Sequence, residues 1–486
     1  MPERNRWIAL YVLCIGMLMI VLDATVVNVA LPSIQTDLHF TQSSLAWVVN
    51  AYLIAFGGLL LLAGRFGDLI GRKTIFMAGL CVFTLASLMC GLAQSQEVLV
   101  IARFVQGVGG ALTSAVILGM IVTMFPEPRE QAKAIGVYGF VASAGGSVGL
   151  LAGGVLTQSI NWHWIFFINV PIGIATGILA TRLLERDKGI GFSAGADIPG
   201  AILITSALML SVYTIVKPAA DDGWGSSQAL TLGAVSLILL VGFIVRQARA
   251  ANPLIPLRIF RSRNVSGANV VQMLLVAGMF GMFFLGALYL QRVLHYDALE
   301  IGLAFLPATI TMGILSLRYT ERLIMTFGAR TTLIPSLTLV AVGLLLFARA
   351  PVNGNFMTDV FPVMILLGLG IGGSFPALMT LAMSGATRED AGLASGLVNT
   401  SAQVGGALGL AVLATLSATR TRELSASGVA HLSALTSGYH LAFVIAAGLI
   451  LLSVGVAATV LRTVPMPAMG EQAEQGRSEP AYSEVA

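Results

Sequence analysis

The sequence predicts an all-α integral membrane protein with fourteen spanning helices. Of its 486 residues, 56% are hydrophobic and only 10% charged, and its mean hydropathy is +0.88. That composition excludes a soluble globular chain. The apolar residues fall in runs long enough to cross a bilayer core, parted by short polar segments. The basic residues crowd into alternate connections, which selects one orientation.

Taken in order, spans are expected near 7–31, 45–63, 74–93, 98–124, 133–158, 163–184 and 198–217. The second half continues with 229–248, 266–291, 299–317, 331–348, 359–383, 391–418 and 438–461. With the N-terminus inside, the cytoplasmic segments of the first half carry Arg4, Arg6, Arg65, Arg72, Lys73, Arg129, Lys133, Arg182, Arg186 and Lys188. Those that follow carry Arg246, Arg249, Arg258, Arg261, Arg263, Arg318, Arg322, Arg330, Arg388, Arg462 and Arg477. Outside fall only Lys217, Arg292, Arg349, Arg420 and Arg422, with Arg103 left inside a span. Basic residues near span ends stay cytoplasmic, so both termini are expected inside the cell (inner) membrane. No small-residue cleavage site follows the first span, which is expected to be retained.

The spans divide the chain. Residues 1–188 form an N-terminal six-helix bundle and 189–250 an inserted helix pair. Residues 251–265 form a cytoplasmic linker, proline-broken, basic and amphipathic, suited to the inner headgroups of the bilayer. Residues 266–462 form a second six-helix bundle, and 463–486 a polar tail expected to be disordered.

Several chemistries are excluded. Cys14, Cys81 and Cys90 all lie in apolar runs, against a disulfide framework or a zinc site. The histidines His39, His163, His295, His431 and His440 show no metal-ligand spacing, so no metal is expected. The chain has no Gly-Lys-Ser/Thr phosphate loop for an ATP-driven pump and no nucleophile–base constellation for an enzyme. The partner expected is lipid, with no nucleic acid and no cofactor.

One charge interrupts the first span. Asp23 lies in Leu22-Asp23-Ala24-Thr25-Val26-Val27-Asn28-Val29-Ala30-Leu31-Pro32, where an ionised group costs at least ~3 kcal/mol on insertion scales. Such a group has a partner or a task. In the fourth span, Arg103, Gln106, Gly107 and Gly110 share one helical face at i, i+3, i+4 and i+7. Asp23 is eight residues from the outer end of its span and Arg103 five from that of its own, or roughly 12 Å and 8 Å at 1.5 Å per residue. Two opposite charges at similar depth are expected to pair. The working alternatives are a proton carrier that pairs with Arg103 in one access state and a permanent salt bridge.

Between spans two and three runs Gly64-Arg65-Phe66-Gly67-Asp68-Leu69-Ile70-Gly71-Arg72-Lys73. Gly64, Gly67 and Gly71 are expected to allow a tight loop, with Asp68, Arg72 and Lys73 supplying charge at the membrane edge. A weaker echo follows span ten in Arg318-Tyr319-Thr320-Glu321-Arg322 and Phe327-Gly328-Ala329-Arg330. Span five carries Gly145, Gly149 and Gly153 at i, i+4 and i+8, with Gly146 and Gly154 beside them. Such a stripe admits a neighbouring helix backbone. Span thirteen offers a counterpart in Ser401, Gly405 and Gly409.

These stretches resemble the major facilitator superfamily, and in particular its fourteen-helix drug:proton antiporter branch. The 64–73 segment is similar to G-x-L-x-D-x-x-G-R-K, with Phe66 at the leucine, and Arg103–Gly107 is similar to R-x-x-Q-G. Residues 145–154 are similar to the antiporter motif G-x-x-x-G-P-x-x-G-G, with Leu150 at the proline. The segment around Asp23 resembles D-x-T-I-V-N-V-A-L-P, and Trp164–Gly173, Pro253–Arg263 and Gly392–Gly409 fit the same branch.

The resemblance implies the major facilitator fold, two six-helix bundles plus two extra helices. It also implies a monomer that exports amphipathic compounds by proton-driven alternating access. Asp23 and Arg103 are then the proton-coupling pair. Gly64, Asp68, Gly71, Arg72, Lys73, Gly145, Gly149, Gly153 and Gly154 are the gating residues. Asn28, Trp47, Asn50, Tyr52 and Gln106 are expected to line the substrate cavity, although Trp47 and Tyr52 read equally as interface-belt aromatics. An importer or symporter and a non-transporting membrane sensor on the same scaffold are the alternatives. Beyond Asp23 and Arg103 no charge is expected mid-span, Asp68, Asp197, Asp297 and Glu300 lying at span ends. The substrate is therefore expected to be neutral, zwitterionic or weakly charged; robust efflux of a dicationic biocide in a transport assay would contradict this.

Overall fold

Every regular element among the described residues is helical, as a chain surrounded by hydrocarbon requires of its backbone. The computed structural model describes residues 3–463 apart from 186, 188, 190, 192–194 and 385–390. The polar tail and Arg388 therefore lie outside the described residues.

The first half contains α1 (Glu3–Asp37), α2 (Gln42–Ile70), α3 (Arg72–Gly91), α4 (Gln96–Met124), α5 (Pro128–Ser159), α6 (Trp164–Phe167) and α7 (Asn169–Leu183). Then come α8 (Ile198–Val216), the short α9 (Pro218–Asp221) and α10 (Ser227–Arg249). The second half contains α11 (Arg263–Arg292), α12 (Ala298–Ile314), α13 (Thr320–Phe327), α14 (Ala329–Phe347), α15 (Phe361–Ser384), α16 (Ala391–Ala426) and α17 (His431–Thr459). Among the described residues, 12 segments are long and apolar enough to cross a membrane. The expected count of fourteen is thus not reached on that measure. The fifth expected span falls in the 32-residue α5, whose apolar described stretch covers only Val148–Ser159. The tenth falls in α12, 17 residues long, which runs on through a π turn at Leu315–Tyr319 into α13.

Short polar side chains set the helix starts. Thr41, Ser95, Asp197, Ser226, Ser262 and Asp297 each accept a backbone N–H from the helix that follows. These are donors a first turn cannot pair internally.

The 64–73 stretch is not the loop expected. Its residues up to Ile70 continue α2, and Gly71 alone turns the chain into α3 with φ 112° and ψ 132°. Only glycine adopts that backbone readily, and a Cβ there would lie 2.7 Å from the Asp187 carbonyl oxygen. Gly67 serves packing instead: its Cβ would lie 2.5 Å from Val116 Cγ1 on α4. The echo in the second half behaves likewise. Arg318 to Phe327 is helical, and Gly328, at φ 88° and ψ 153°, makes the turn into α14. In both places the helical ladder persists because it satisfies the backbone, and it yields only where a glycine permits reversal.

Helices α1 to α7 pack on one another, as do α11 to α17, and the two main seams between the groups are α2 against α16 and α5 against α12, with α1 also touching α11 and α12. If the two halves are repeats, each seam is the counterpart of the other. The pair α8 and α10 lies alongside, with α8 against both α2 and α16. Only a sixth of α10's apolar stretch is buried, consistent with a helix that faces lipid.

The Gly71 turn makes a testable demand. Gly71→Ala should lose ~1–3 kcal/mol, read as a lower melting temperature in detergent. Gly448→Ala on α17, where nothing lies within 4 Å of the added methyl, should leave the melting temperature unchanged or raise it.

Candidate functional site: a buried ion pair beside a cavity

Asp23 and Arg103 meet as expected. Each is 1% exposed, and Arg103 Nη1 lies 2.5 Å from Asp23 Oδ2. The other carboxylate oxygen accepts from Gln106 Nε2 at 2.7 Å and from Asn169 Nδ2 at 3.2 Å. All three neighbours donate, the arrangement that an acceptor-only carboxylate needs. Arg103 is similarly provided for. Its Nε donates to the Val48 carbonyl at 2.9 Å and its Nη1 also to Gln106 Oε1 at 2.7 Å. The guanidinium carbon stands 4.5 Å from the Tyr52 ring centroid and 5.7 Å from that of Phe166. Gln106 completes the network by donating to Ser87 Oγ at 2.6 Å.

Small residues make this convergence possible. A Cβ on Gly107 would lie 2.4 Å from the Tyr52 carbonyl oxygen, and one on Gly109 2.4 Å from the Phe83 nitrogen. So α4 presses against α2 and α3 while Arg103 and Gln106 reach α1. The glycine stripe of α5 also faces α1. Added methyls at Gly145, Gly149 and Gly153 would meet Leu18, Thr25 and Val26, that on Gly149 only 1.9 Å from Thr25 Oγ1. Gly154 instead faces the Ala298 carbonyl at the start of α12, and Gly302 of α12 faces the Leu150 carbonyl. Leu150, at the motif's proline position, is buried in that seam. The counterpart stripe repeats the arrangement: Gly405 and Gly409 of α16 pack on Met273 and Ala277 of α11, and Ser401 Oγ donates to Asn269 at 2.8 Å.

At the α2–α3 turn, Arg72 donates to the Gly119 carbonyl at 2.9 Å and to Thr123 Oγ1 at 2.8 Å, and pairs with Asp68 at 3.3 Å. Lys73 Nζ donates to the Thr181 and Leu184 carbonyls. Asp187 accepts the Arg72 and Lys73 backbone N–H groups at 2.7 and 3.2 Å, so it caps α3 across the turn. Turn, α4 and α7 are thereby tied together.

Beside the ion pair lies a cavity of about 830 Å³. Tyr52, Phe56, Ala24 and Met17 line it from the first half, and Phe280, Asn399 and Gln403 from the second. Of the five cavity residues expected, only Tyr52 is in its wall. Gln106 is held in the ion-pair network, Asn28 donates to the Ala24 carbonyl, Asn50 is fully buried, and Trp47 packs on the apolar core. Helical pitch explains the difference, since residues a few positions apart on one helix point to different neighbours.

The wall also holds Arg65, Asp68, Arg72 and Asp197, two of each sign. Asp197 accepts from Gly200 N at 3.0 Å, Arg246 Nε at 2.9 Å and Gln247 Nε2 at 2.7 Å. Burial pushes its carboxyl up, but these hydrogen bonds and the Arg246 charge outweigh burial and hold it below its ordinary value. The linker departs partly from expectation. Ala251, Asn252, Pro253, Leu254 and Pro256 stand in the cavity wall, and Ile259 is buried against Val265, Ala394 and Leu397. Leu257 and Phe260 remain exposed, as an amphipathic segment requires.

The sequence profile of the Major Facilitator Superfamily matches residues 13–410. The chain belongs to that superfamily. It is 38% identical over 458 residues to a puromycin resistance protein of Streptomyces alboniger, covering 93% of this chain and 90% of that protein. It is 36% identical over 425 residues to a cephamycin export protein of Amycolatopsis lactamdurans, covering 87% of each. A lincomycin resistance protein of Streptomyces lincolnensis is 35% identical over 413 residues, covering 84% of each. Among solved structures, a bacterial homologue of the human lysosomal transporter Spinster, inward-facing and unoccupied, superposes with a TM-score of 0.69. The two share 15% identity over 94% of this chain and 97% of that one, a likeness of fold. This facilitator is thus a multi-span membrane transporter, not an enzyme, with relatives named as antibiotic resistance and export proteins.

Three polar residues of the site escape sequence reasoning. Asn169 lies in the 164–173 stretch that resembles the branch, which is its one signal. Ser87 and Asp187 stand in no pattern; only the fold brings them to Gln106 and the α3 start. The ion pair itself can be tested by stability. Arg103→Met strands a buried carboxylate and should cost about 3–5 kcal/mol, lowering the melting temperature. Adding Asp23→Asn should recover most of that stability without restoring transport.

Proposed function

We propose that this facilitator is a proton-driven antiporter that exports neutral, zwitterionic or weakly charged amphipathic compounds by alternating access. The observation that carries the reading is the buried Asp23–Arg103 pair, placed one side-chain layer from an 830 Å³ cavity. A carboxylate at membrane depth that can exchange its arginine partner for a proton is the minimum device for coupling. The charged wall residues balance in sign, and the rest of the wall is largely aliphatic and aromatic, which suits substrates without strong net charge. The puromycin, cephamycin and lincomycin relatives support export of amphipathic antibiotics.

In this reading the chain spans the cell membrane fourteen times as a monomer, with both termini cytoplasmic. Helices α5 and α12 with its continuation supply the two spans beyond the twelve. The end of the bundle bearing Arg65, Arg72 and Lys73 then faces the cytoplasm, and the cavity reaches that end. Gly71, Asp68, Arg72 and Lys73 act as the cytoplasmic gate, and the α5 glycines let α1 slide or tilt during the exchange.

The test is puromycin uptake into inverted membrane vesicles. An inward-acid gradient should drive uptake, a protonophore should abolish it, and Asp23→Asn should remove the gradient dependence while leaving folded protein. Gradient-driven uptake retained by Asp23→Asn would sink the proposal.

A further inference from the structure

Antiport requires that the buried pair respond to what occupies the cavity, and Tyr52 belongs to both. Its ring faces the Arg103 guanidinium at 4.5 Å, and it lines the cavity. It is 3% exposed, yet its hydroxyl has no hydrogen-bond partner among the described residues. A buried phenol usually finds one. The hydroxyl lies next to Gly110, where an added methyl would stand 3.0 Å away. Small size at that position therefore leaves the oxygen room. Gln403 of α16, whose Cβ would meet a methyl on Gly57 of α2 at 2.6 Å, also lines the cavity and carries a second unpaired group, its Oε1.

We propose that Tyr52 is the coupling residue. A substrate in the cavity hydrogen-bonds the Tyr52 hydroxyl, which sets its affinity, and packs against the ring, and the packed ring seats Arg103 against Asp23. With Arg103 seated, Asp23 gives up its proton. When the cavity empties, the ring is released, Arg103 withdraws, and Asp23 takes a proton again. Tyr52 thus recognises substrate through its oxygen and addresses the ion pair through its π face. The inference rests on the antiport reading above. It adds a chemical preference: substrates with a hydrogen-bonding group next to an apolar body.

The two roles separate by substitution at one position. In the full-length purified protein, puromycin binding and the protons released per bound puromycin are measured together, the latter with a pH-indicator dye. Tyr52→Phe keeps the ring and loses the hydroxyl. It should bind puromycin about tenfold more weakly and release protons at saturation as the wild type does. Trifluorophenylalanine at position 52 keeps nearly the same shape but empties the ring face of electron density. Relative to Tyr52→Phe it should lower the protons released at saturation by roughly threefold or more. Gln403→Leu serves as the contrast, expected to weaken binding without changing protons released, because it does not touch Arg103. Equal proton release from the Phe and trifluorophenylalanine forms, or wild-type affinity in Tyr52→Phe, would overturn the proposal. If the wild type itself binds puromycin and releases no proton, the antiport reading fails and the coupling role with it. A flat Tyr52 series beside a responsive wild type refutes the coupling role alone.

Discussion

The structure depends on keeping one carboxylate and one guanidinium out of both water and lipid. Asp23 and Arg103 are buried, and unpaired charges at that depth are costly enough that every nearby group is arranged around them. Asp23 draws donors from α4 and from the start of α7, while Arg103 draws a carbonyl from α2 and two aromatic faces from α2 and α6. Five helices of the first half, α1, α2, α4, α6 and α7, therefore converge on one point. The glycines of α4 and α5 are the geometric consequence, because convergence of that order leaves no room for side chains between backbones.

The second half repeats the packing without the charges. The stripe of α16 lies on α11 as that of α5 lies on α1, and Gly328 turns the chain as Gly71 does. Beside its stripe, the α11–α16 contact carries an uncharged hydrogen bond between Ser401 and Asn269, whereas the ion pair of the first half joins α1 to α4. Equivalent scaffolds thus carry unequal chemistry. One half holds a buried ion pair, and the other an uncharged polar contact beside its glycine stripe.

The cavity lies between these halves, and its charged end is neutralised locally. Asp68 is paired with Arg72, and Asp197 caps α8 and is held by α10. Through Gln247, which accepts the Ile255 N–H at 3.0 Å, the same network ties residues 251–256 to α8 and α10. Helices α8 and α10 therefore take part in the packing: α8 covers the α2–α16 seam, and α10 holds the following segment in the cavity wall.

Most of the architecture was legible in the sequence because a membrane imposes a strict and local rule. Apolar runs of spanning length, and basic residues between them, reveal the helices without any knowledge of what they touch. The Asp23–Arg103 pair was legible for the same reason: two opposite charges at similar depth have few other partners. The 64–73 stretch misled because polarity suggests a loop, whereas backbone satisfaction extends α2 to Ile70 and leaves the turn to Gly71. The cavity was not legible. Which of Asn28, Trp47, Asn50, Tyr52 and Gln106 faces open space depends on how the helices are rotated against one another. That rotation is set by glycine contacts and by partners such as Ser87 and Asn169, far away in sequence. Composition and spacing thus determined a membrane transporter scaffold with one buried charge pair. Tertiary packing alone decided that Tyr52 stands between that pair and the cavity.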